Sequence, residues 1–298
     1  MHNDLANSEQ SLKHGYAQLG AVRLHYVERG AGDKLVVFLH GFPECWYSWR
    51  HQLAALGDDF HVVAPDLRGY NLSDKPPRRE DYTLDKLMDD VTGLIRHLGH
   101  TRATVVGHDW GAAIAWSLAL QHPEYVAKLV ALQVPPLAAW RDNLTLQQAV
   151  TSWYMLFFQL PLLPEWLLRR NNFALLTRMF RRTLVRQAAV NETDLAFYRT
   201  ALSEPGALTG AVNYYRANAR RMLREPQQDN AARSQVSCPT LFIYGAQDPA
   251  VLPSTVANLG RYVAGPYQER HIKRSGHWVH QEAKEEVNAL LTAFLQQS

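Results

Sequence analysis

The ten residues Thr104-Val105-Val106-Gly107-His108-Asp109-Trp110-Gly111-Ala112-Ala113 decide how this chain builds its candidate site. The three β-branched residues predict a strand buried on both faces, and the small residues after Trp110 predict the start of a helix. Gly-x-Asp-x-Gly between a strand and a helix is typical of a nucleophile elbow, a turn so tight that large flanking side chains would clash. We expect the turn to expose Asp109 at the carboxyl end of the strand, beside helix amides that stabilise negative charge.

The aspartate at the exposed position determines the chemistry that we expect. A carboxylate is ionised at neutral pH and attacks without help from a base. It is a modest nucleophile, suited to displacement at a strained or activated sp³ carbon, and the product is an alkyl ester of the enzyme. Water must then attack the carbonyl carbon of this ester, and that step needs a general base and an oxyanion hole. A serine-type esterase is excluded, because acyl transfer to Asp109 would give a labile anhydride.

Apolar runs and amphipathic segments alternate on both sides of this turn. Residues 17–27 show the pattern of an antiparallel hairpin at a sheet edge, and residues 29–33 that of a turn. We predict further buried strands at 35–39, 62–64 and 241–244, and helices at 45–56, 84–98, 112–121 and 282–295. Strands that alternate with helices predict a mostly parallel central sheet with helices on both faces, an α/β fold.

Residues 136–231 interrupt this alternation. They contain no pattern of a buried strand and are rich in leucine, arginine and aromatic residues at helical spacing. We predict that they form a helical cap, inserted into a core domain of residues 1–135 and 232–298. The arginine-rich stretch 169–186 is interpreted as a solvated helix face with buried aliphatic stems, in preference to a membrane-surface or anionic-ligand site. Residues 153–168 are interpreted mostly as cap core, with part of them lining an apolar pocket.

Two later residues complete a set for ester hydrolysis. In folds built around a nucleophile elbow, an acid and then a histidine follow the nucleophile along the chain. Asp248 follows the predicted strand 241–244, and His277 follows a short strand pattern at 269–272. We expect His277 to take a proton from water, and Asp248 to fix the histidine tautomer. Another possible acid position in such folds follows the strand near residues 129–134, where Gln133-Val134-Pro135 offers no carboxylate.

Three further histidines, His40, His108 and His280, are candidates for ligands or catalysts. His280 lies three residues after His277, at a spacing that places both on one helix face, but no third metal ligand accompanies them. We therefore predict no metal site. His40 and His108 are expected to buttress loops.

The bulk composition limits the partners. The 298 residues carry a formal net charge of +3, which gives no reason to expect a nucleic-acid partner. Two cysteines, Cys45 and Cys238, form no disulfide framework, and the polar amino terminus lacks a signal-peptide pattern. The longest apolar stretch, 155–168, is too short and interrupted to span a membrane. We expect a soluble, cytoplasmic protein; no residue pattern decides its oligomeric state, and a homodimer stays open.

With Asp109, Asp248 and His277 assigned, the chain resembles the epoxide hydrolases of the α/β-hydrolase fold over nearly its whole length. His40-Gly41-Phe42-Pro43 is similar to the family's His-Gly-x-Pro loop. This similarity implies that the backbone N–H groups of Phe42 and Trp110 form the oxyanion hole, and that a cis peptide precedes Pro43. The loop 66–76 is also similar to the family's loop, with Asn71 in place of a more usual glycine.

The resemblance also assigns two tyrosines of the cap. It implies that Tyr154 and Tyr215 hold the epoxide oxygen and protonate it as the ring opens, while Tyr214 packs on the other side of its helix. An alkoxide is a poor leaving group unless a hydroxyl donor meets it, and this supplies the physical reason for the pair. The implied reactants are a small apolar epoxide and water, with no cofactor or metal.

Three alternatives share parts of this pattern. A haloalkane dehalogenase would use the same Asp109, Asp248 and His277, but it would need a second side-chain donor where Phe42 has none. A fluoroacetate dehalogenase would place arginines near the nucleophile, where this chain has Trp110 and Ala113. A non-catalytic ligand-binding protein on the same fold would be expected to lack part of the catalytic set, which is complete here.

Overall fold

A hairpin forms one edge of the central sheet in the computed structural model, which describes residues 12–57, 59–223 and 235–297. Strands β1 (Lys13–Leu19) and β2 (Val22–Arg29) pair antiparallel, and Gly20 makes the turn between them with a φ of 61°. The hairpin predicted from the sequence is therefore present. The turn predicted at 29–33 leads from β2 into the next strand.

Six further strands extend this sheet to eight in the described part of the chain. They are β3 (Leu35–Leu39), β4 (His61–Pro65), β5 (Ala103–His108), β6 (Val126–Leu132), β7 (Thr240–Gly245) and β8 (Tyr267–Ile272). The order is β1-β2-β4-β3-β5-β6-β7-β8, and all pairs from β4 to β8 are parallel. Because parallel strands end at the same edge of a sheet, the loops that follow β3, β5, β6, β7 and β8 meet there.

The described residues also form eleven α-helices. These are α1 (Arg50–Leu56), α2 (Leu84–His97), α3 (Trp110–Gln121), α4 (Leu137–Asp142), α5 (Leu146–Thr151), α6 (Trp153–Phe157), α7 (Leu163–Thr183), α8 (Glu192–Ser203), α9 (Ala207–Leu223), α10 (Val279–Glu282) and α11 (Lys284–Gln296). Within the described ranges, no helix combines the length and the apolar character that crossing a bilayer requires.

Neighbouring residues of the central strands face two different layers of helices. Val36 packs in a cluster with residues of α1 and α11, whereas Val37 packs in a cluster with residues of α2 and α3. This follows from the alternation of side chains along a strand, and it explains why β3 is apolar at every position. The mostly parallel sheet covered on both faces, predicted from the sequence, is confirmed.

Helices α4 to α9 follow one another between β6 and β7, within the segment predicted as an inserted cap. Between residues 133 and 223 the structure contains helices, turns and no strand. Helix α8 begins with a capping box, in which Asn191 and Asp194 each accept the other's backbone N–H through their side chains. The predicted domain boundary at 231/232 lies outside the described residues.

Two features of these helices differ from the expectations. Helix α7 consists of two helical pieces separated by non-helical residues 170–173, of which Asn171, Asn172 and Phe173 have φ values of 50° to 59°. In addition, Trp153, Leu156 and Trp166 are 61%, 74% and 56% exposed. The interpretation of residues 153–168 as mostly cap core is therefore wrong for half of their twelve large apolar or aromatic side chains, because α6, the start of α7 and the residues between them turn one side to solvent.

Candidate active site

Asp109 lies at the turn between β5 and α3, at the centre of the sheet. Its backbone has a φ of 51° and a ψ of −116°, a conformation that non-glycine residues rarely adopt. A Cβ atom on Gly107 would lie 2.2 Å from the carbonyl oxygen of Gly111, and one on Gly111 would lie 2.0 Å from that of Leu39. Both neighbours are backbone atoms that cannot move aside, so the two glycines are a steric requirement of this turn.

The loop after β3 approaches the Asp109 carboxylate from one side. The backbone N–H of Phe42 donates to Oδ1 of Asp109 at 2.8 Å. The Phe42–Pro43 peptide is cis, as the resemblance implied. Trp110 is the first residue of α3, so its N–H is among the amides that have no partner within the helix. Of the two predicted oxyanion donors, Phe42 therefore contacts the carboxylate of Asp109 directly. Trp110 is the next residue after Asp109 in the chain.

His277 and Asp248 lie on the other side of Asp109. Nδ1 of His277 is 2.8 Å from Oδ2 of Asp248, and Nε2 is 3.8 Å from Oδ2 of Asp109. His277 and Asp248 are both buried. Because an ionised carboxylate only accepts hydrogen bonds, Nδ1 of His277 carries a proton, and Nε2 is the nitrogen that faces Asp109.

The charge of this cluster determines the protonation of His277. Burial by itself lowers the pKa of His277, but the carboxylates of Asp248 and Asp109, with a smaller effect of Glu44, outweigh it and raise this pKa to about 9. With both aspartates ionised, the imidazole is therefore protonated at neutral pH. Loss of the negative charge on Asp109 would remove one of the effects that raise the pKa.

Gln133 is a member of this cluster that the sequence analysis missed. It follows β6, has a φ of 68°, and is fully buried. Its Nε2 donates to Oδ2 of Asp248 at 2.8 Å and to the carbonyl of Gly276 at 2.7 Å, while its Oε1 accepts the N–H of Gly245 at 2.6 Å. Gln133 therefore joins the loops that carry Asp248 and His277. The signal in the sequence was its place after β6, one of the two strand ends where an acid can stand.

Asp248 is held by two further donors. Its Oδ1 accepts the backbone N–H groups of Ala250 at 2.7 Å and of Val251 at 3.1 Å. Together with Gln133 and His277, these bonds involve both oxygens of a carboxylate that is removed from solvent. A buried carboxylate needs such donors to remain ionised.

The two predicted cap tyrosines lie close together above Asp109. The ring centroids of Tyr154 (α6) and Tyr215 (α9) are 5.9 Å apart, and both residues line cavities that Asp109 also lines. Burial, followed by the negative charge of Asp109, raises the pKa of both phenols above the ordinary range. Both hydroxyls therefore keep their protons and can act as donors. Tyr214 instead donates to the carbonyl of Arg68 at 2.8 Å, so its predicted role in packing is confirmed.

The space around Asp109 is divided between two cavities with mostly apolar walls. One, of about 270 Å³, is bounded by Phe42, Leu176 and Trp278; the other is narrower, at about 40 Å³, and is bounded by Trp110, Met155 and Met222. Asp109, His277, Tyr154 and Tyr215 line both of them. A larger cavity, of about 1050 Å³, lies away from these residues, beside the β1–β2 turn and α2. Its open, charged walls are those of a surface groove.

A second polar cluster lies behind His277. Glu44, His108 and His280 are fully buried, and their potential ligand atoms lie within 4.8 Å of one another. Glu44 is 2.9 Å from Nδ1 of His108 and 3.2 Å from Nε2 of His280, while Nε2 of His108 is 2.9 Å from the carbonyl oxygen of His277. His108 thus connects the loop that contains His277 to the loop after β3, and its predicted role in buttressing is confirmed.

His280 corrects the expectation that it shares a helix face with His277. Helix α10 begins at Val279, after His277, and the ring of His280 turns toward Glu44 and His108. A third group with a ligand atom is thus present, although the sequence analysis found none. His40 has the role expected for it, since its Nε2 accepts the N–H of Leu67 at 3.0 Å.

Known proteins resemble this chain over most of its length. Residues 34–284 match the family described as alpha/beta hydrolase fold. Epoxide hydrolase 3 of Mus musculus is 38% identical over 279 residues, which cover 92% of this chain and 74% of that protein. Epoxide hydrolase A of Mycobacterium tuberculosis is 35% identical over 311 residues, which cover 92% of this chain and 94% of that protein.

A solved structure agrees over a similar range. The crystal structure of an epoxide hydrolase from Bacillus megaterium in complex with an inhibitor superimposes with a TM-score of 0.86 at 33% identity. The alignment covers 95% of this chain and 100% of that chain. The two chains therefore share one fold over nearly their whole length.

Proposed function

Since this chain belongs to the alpha/beta hydrolase fold family, we propose that it hydrolyses epoxides to vicinal diols through an ester of Asp109. The observation that carries the proposal is the position of a carboxylate at the elbow, between a His–Asp pair and two protonated tyrosines. The names of two similar proteins, Epoxide hydrolase 3 and Epoxide hydrolase A, agree with this reaction. All groups that the reaction needs are side chains, backbone amides and water.

In the first step, Oδ2 of Asp109 attacks an epoxide carbon. Oδ1 is held by the N–H of Phe42 at 2.8 Å, which leaves Oδ2 as the nucleophile. The carbon–oxygen bond of the ring breaks as the new ester bond forms, and the departing oxygen takes a proton from a tyrosine hydroxyl. Tyr154 and Tyr215 are the donors, because their raised pKa values keep them protonated.

In the second step, His277 activates a water. Water loses a proton to Nε2 of His277 and adds to the carbonyl carbon of the ester. The resulting negative charge develops on Oδ1, which already has the N–H of Phe42 and, in the proposal, gains that of Trp110. The bond from the carbonyl carbon to the alkyl oxygen then breaks, and this oxygen takes the proton of the added hydroxyl group, so that the diol leaves and Asp109 is again a carboxylate. The proton on His277 returns to the tyrosinate. The reaction thus consumes one epoxide and one water.

The ester also prepares His277 for its role as a base. In the free enzyme Asp109 contributes to raising the pKa of His277 to about 9, which would leave too little neutral imidazole at pH 7. Esterification neutralises Asp109 and removes this contribution, so the pKa of His277 falls and the imidazole releases its proton to solvent before it acts as a base. Asp248, held by Gln133, keeps Nδ1 protonated and Nε2 directed at the site.

We propose the remaining arrangement on the same grounds. Residues 136–231 act as the cap that supplies both tyrosines, and residues 1–135 and 232–298 as the core that supplies Asp109, Asp248 and His277. Cys45 and Cys238 are both free and buried, which supports the reducing environment of the cytoplasm as the location.

The decisive experiment measures diol release from a panel of terminal and aryl epoxides, with Asp109→Ala as the background. We expect diol from the wild type only.

A single turnover in H₂¹⁸O should then place ¹⁸O in Asp109, detected as a 2 Da shift of its peptide, because water attacks the aspartyl carbonyl. His277→Gln should accumulate the ester, visible by intact-protein mass. Diol formation without label in Asp109 would contradict the ester, and absence of diol from every epoxide would contradict the function.

A further inference from the structure

The cap carries an unusually apolar surface. Twelve large apolar side chains are exposed in the described part of the chain, and nine of them lie in 144–166. We call these nine residues the apolar face: Leu144, Leu146, Val150, Trp153, Leu156, Leu160, Leu162, Leu163 and Trp166. Leu146 and Leu162 are 83% and 80% exposed, so these side chains are almost completely in solvent. A cluster of exposed apolar side chains of this kind is typical of an interaction surface.

The surroundings of the apolar face are positively charged. Between residues 143 and 191 the only acidic residue is Glu165, which is buried and paired with Arg216 at 2.5 Å. Arg169 and Arg170 are exposed at the end of the apolar face, and the guanidinium of Arg170 lies 4.7 Å from the ring centroid of Trp166. Residues 136–223 contain eleven arginines and five acidic residues, whereas the whole chain carries only +3. Positive charge is thus concentrated on the cap.

A cavity lies between the apolar face and the narrow cavity at the candidate active site. It has a volume of about 350 Å³, and the exposed residues Leu144 and Leu156 form part of its wall. Four other residues of this wall also line the narrow cavity at Asp109: Trp140, Met155, Tyr215 and Met222. A mostly apolar wall therefore extends from Leu156 to Tyr215, which also lines the narrow cavity at Asp109.

We propose that the apolar face docks on an anionic lipid bilayer, and that apolar epoxides pass from the bilayer along this cavity to Asp109. Surfaces that bind at the interface of an anionic bilayer are typically rich in tryptophan and leucine and are bordered by arginine or lysine. A second copy of the chain is a poorer occupant, because two caps of the same positive charge would repel each other. The role of the cavity rests on the proposed function, whereas docking on lipid does not.

The test measures binding of the full chain to vesicles by co-sedimentation. We expect binding to vesicles of phosphatidylcholine with phosphatidylglycerol, at least about tenfold weaker binding to phosphatidylcholine alone, and weakening by salt. Leu146→Glu combined with Trp153→Glu should reduce binding to the anionic vesicles at least about tenfold, because charged residues replace two insertion sites. Neither residue lines the cavities near Asp109. The matched control is Leu72→Glu, at a 43% exposed leucine after β4, which should bind as the wild type does.

The outcomes separate docking from catalysis. Binding is read without turnover, so a chain that hydrolyses no epoxide would still bind vesicles if docking is correct. Failure to bind anionic vesicles would overturn the proposal, and so would equal binding by the wild type and the double variant. A dimer in sedimentation equilibrium that the double variant dissociates would also overturn it, since the apolar face would then join two copies. With docking established, the double variant should lose activity toward a vesicle-borne epoxide but keep it toward a water-soluble one.

Discussion

Adjacent residues Tyr214 and Tyr215 show how one position on a helix separates packing from chemistry. The hydroxyl of Tyr214 donates to the carbonyl of Arg68, while Tyr215 lines the cavity above Asp109 and faces Tyr154. Successive residues on a helix point about 100° apart, which accounts for the difference. The two tyrosines therefore form a matched pair for testing the assignment of the proton donors.

We predict that Tyr215→Phe slows ring opening by roughly 10²-fold, the size of one general-acid contribution. Tyr154→Phe should act in the same direction, and both changes should be seen in the rate of ester formation during a single turnover. Tyr214→Phe should leave that rate near the wild-type value but cost about 1 kcal/mol of unfolding free energy, since it loses a buried hydrogen bond. If Tyr214→Phe slowed ester formation as much as Tyr215→Phe, the assignment of the donors would be wrong.

Gln133 offers a test of the group that positions Asp248. In Gln133→Glu, a carboxylate would replace the amide donor 2.8 Å from Oδ2 of Asp248. We expect the added negative charge to raise the pKa of His277 further, so that ester hydrolysis at pH 7 slows about tenfold or more and its rise with pH moves to higher pH. The measurement is the rate of ester decay between pH 6 and 10.

The control for this variant is Gln148→Glu. Gln148 is also fully buried and bonded, to Ser152 and Leu252 among others, but it does not contact Asp248. The Gln148→Glu variant should be less stable than the wild type, but its rate of ester decay should depend on pH as that of the wild type does. A profile for Gln133→Glu that coincides with that of Gln148→Glu would limit Gln133 to a structural role.

The sequence could predict Asp109, Asp248 and His277 because each follows a strand pattern that is recognisable locally. It could not predict the role of Gln133, because the role of an amide side chain depends on its hydrogen-bond partners. Those of Gln133 include Gly245 and Gly276, which are distant in the sequence. For the same reason, the sequence suggests His277 as the partner of His280, whereas its partner in space is Glu44, 236 positions earlier in the chain.

At the level of elements, the strand–turn–helix unit of β5 and α3 allows a direct steric test. We predict that Gly111→Ala destabilises the fold severely, by roughly 3 kcal/mol or more, because its Cβ would lie 2.0 Å from the backbone oxygen of Leu39. The control is Gly93→Ala on α2, whose Cβ would meet only the Leu19 side chain at 3.2 Å. Denaturant unfolding should show a change within about 1 kcal/mol for this helical position.

The same unit shows which elements the sequence predicts well. Continuous apolar runs predicted the central strands to within one or two residues, since a short run of β-branched and other apolar residues is typical of a strand buried on both faces. Helices of the cap were predicted as a class but not one by one. The break in α7 requires left-handed conformations at residues 171–173, for which Asn171 and Asn172 were a local signal, while Phe173 was not. Exposure of Leu156 could not be read from the sequence, because a leucine on a helix usually faces a core.

For the whole molecule, buried histidines determine how stability depends on pH. Burial lowers the pKa of His280 to about 4 and that of His51, with the charge of Arg50 nearby, to about 3. The unfolded chain binds protons at these histidines below about pH 6.5, whereas the folded chain does not, so acid removes stability. His277 has the opposite sign, because its pKa of about 9 lies above the unfolded value. Its contribution is complete below pH 6.5 and disappears as the pH rises through 9.

These opposite signs predict a maximum of unfolding free energy near pH 6.5, with losses on both sides. One titrating histidine changes the free energy by at most about 1.4 kcal/mol per pH unit, which sets the expected slopes. Urea denaturation at pH 5, 6.5 and 9 measures them. His280→Gln should reduce the loss toward pH 5 without affecting the loss toward pH 9, and His277→Gln should do the reverse, which makes each variant the control for the other. Stability that rises from pH 6.5 to pH 9 in the wild type would contradict the raised pKa of His277, and with it the charge balance on which the proposed timing of ester hydrolysis depends.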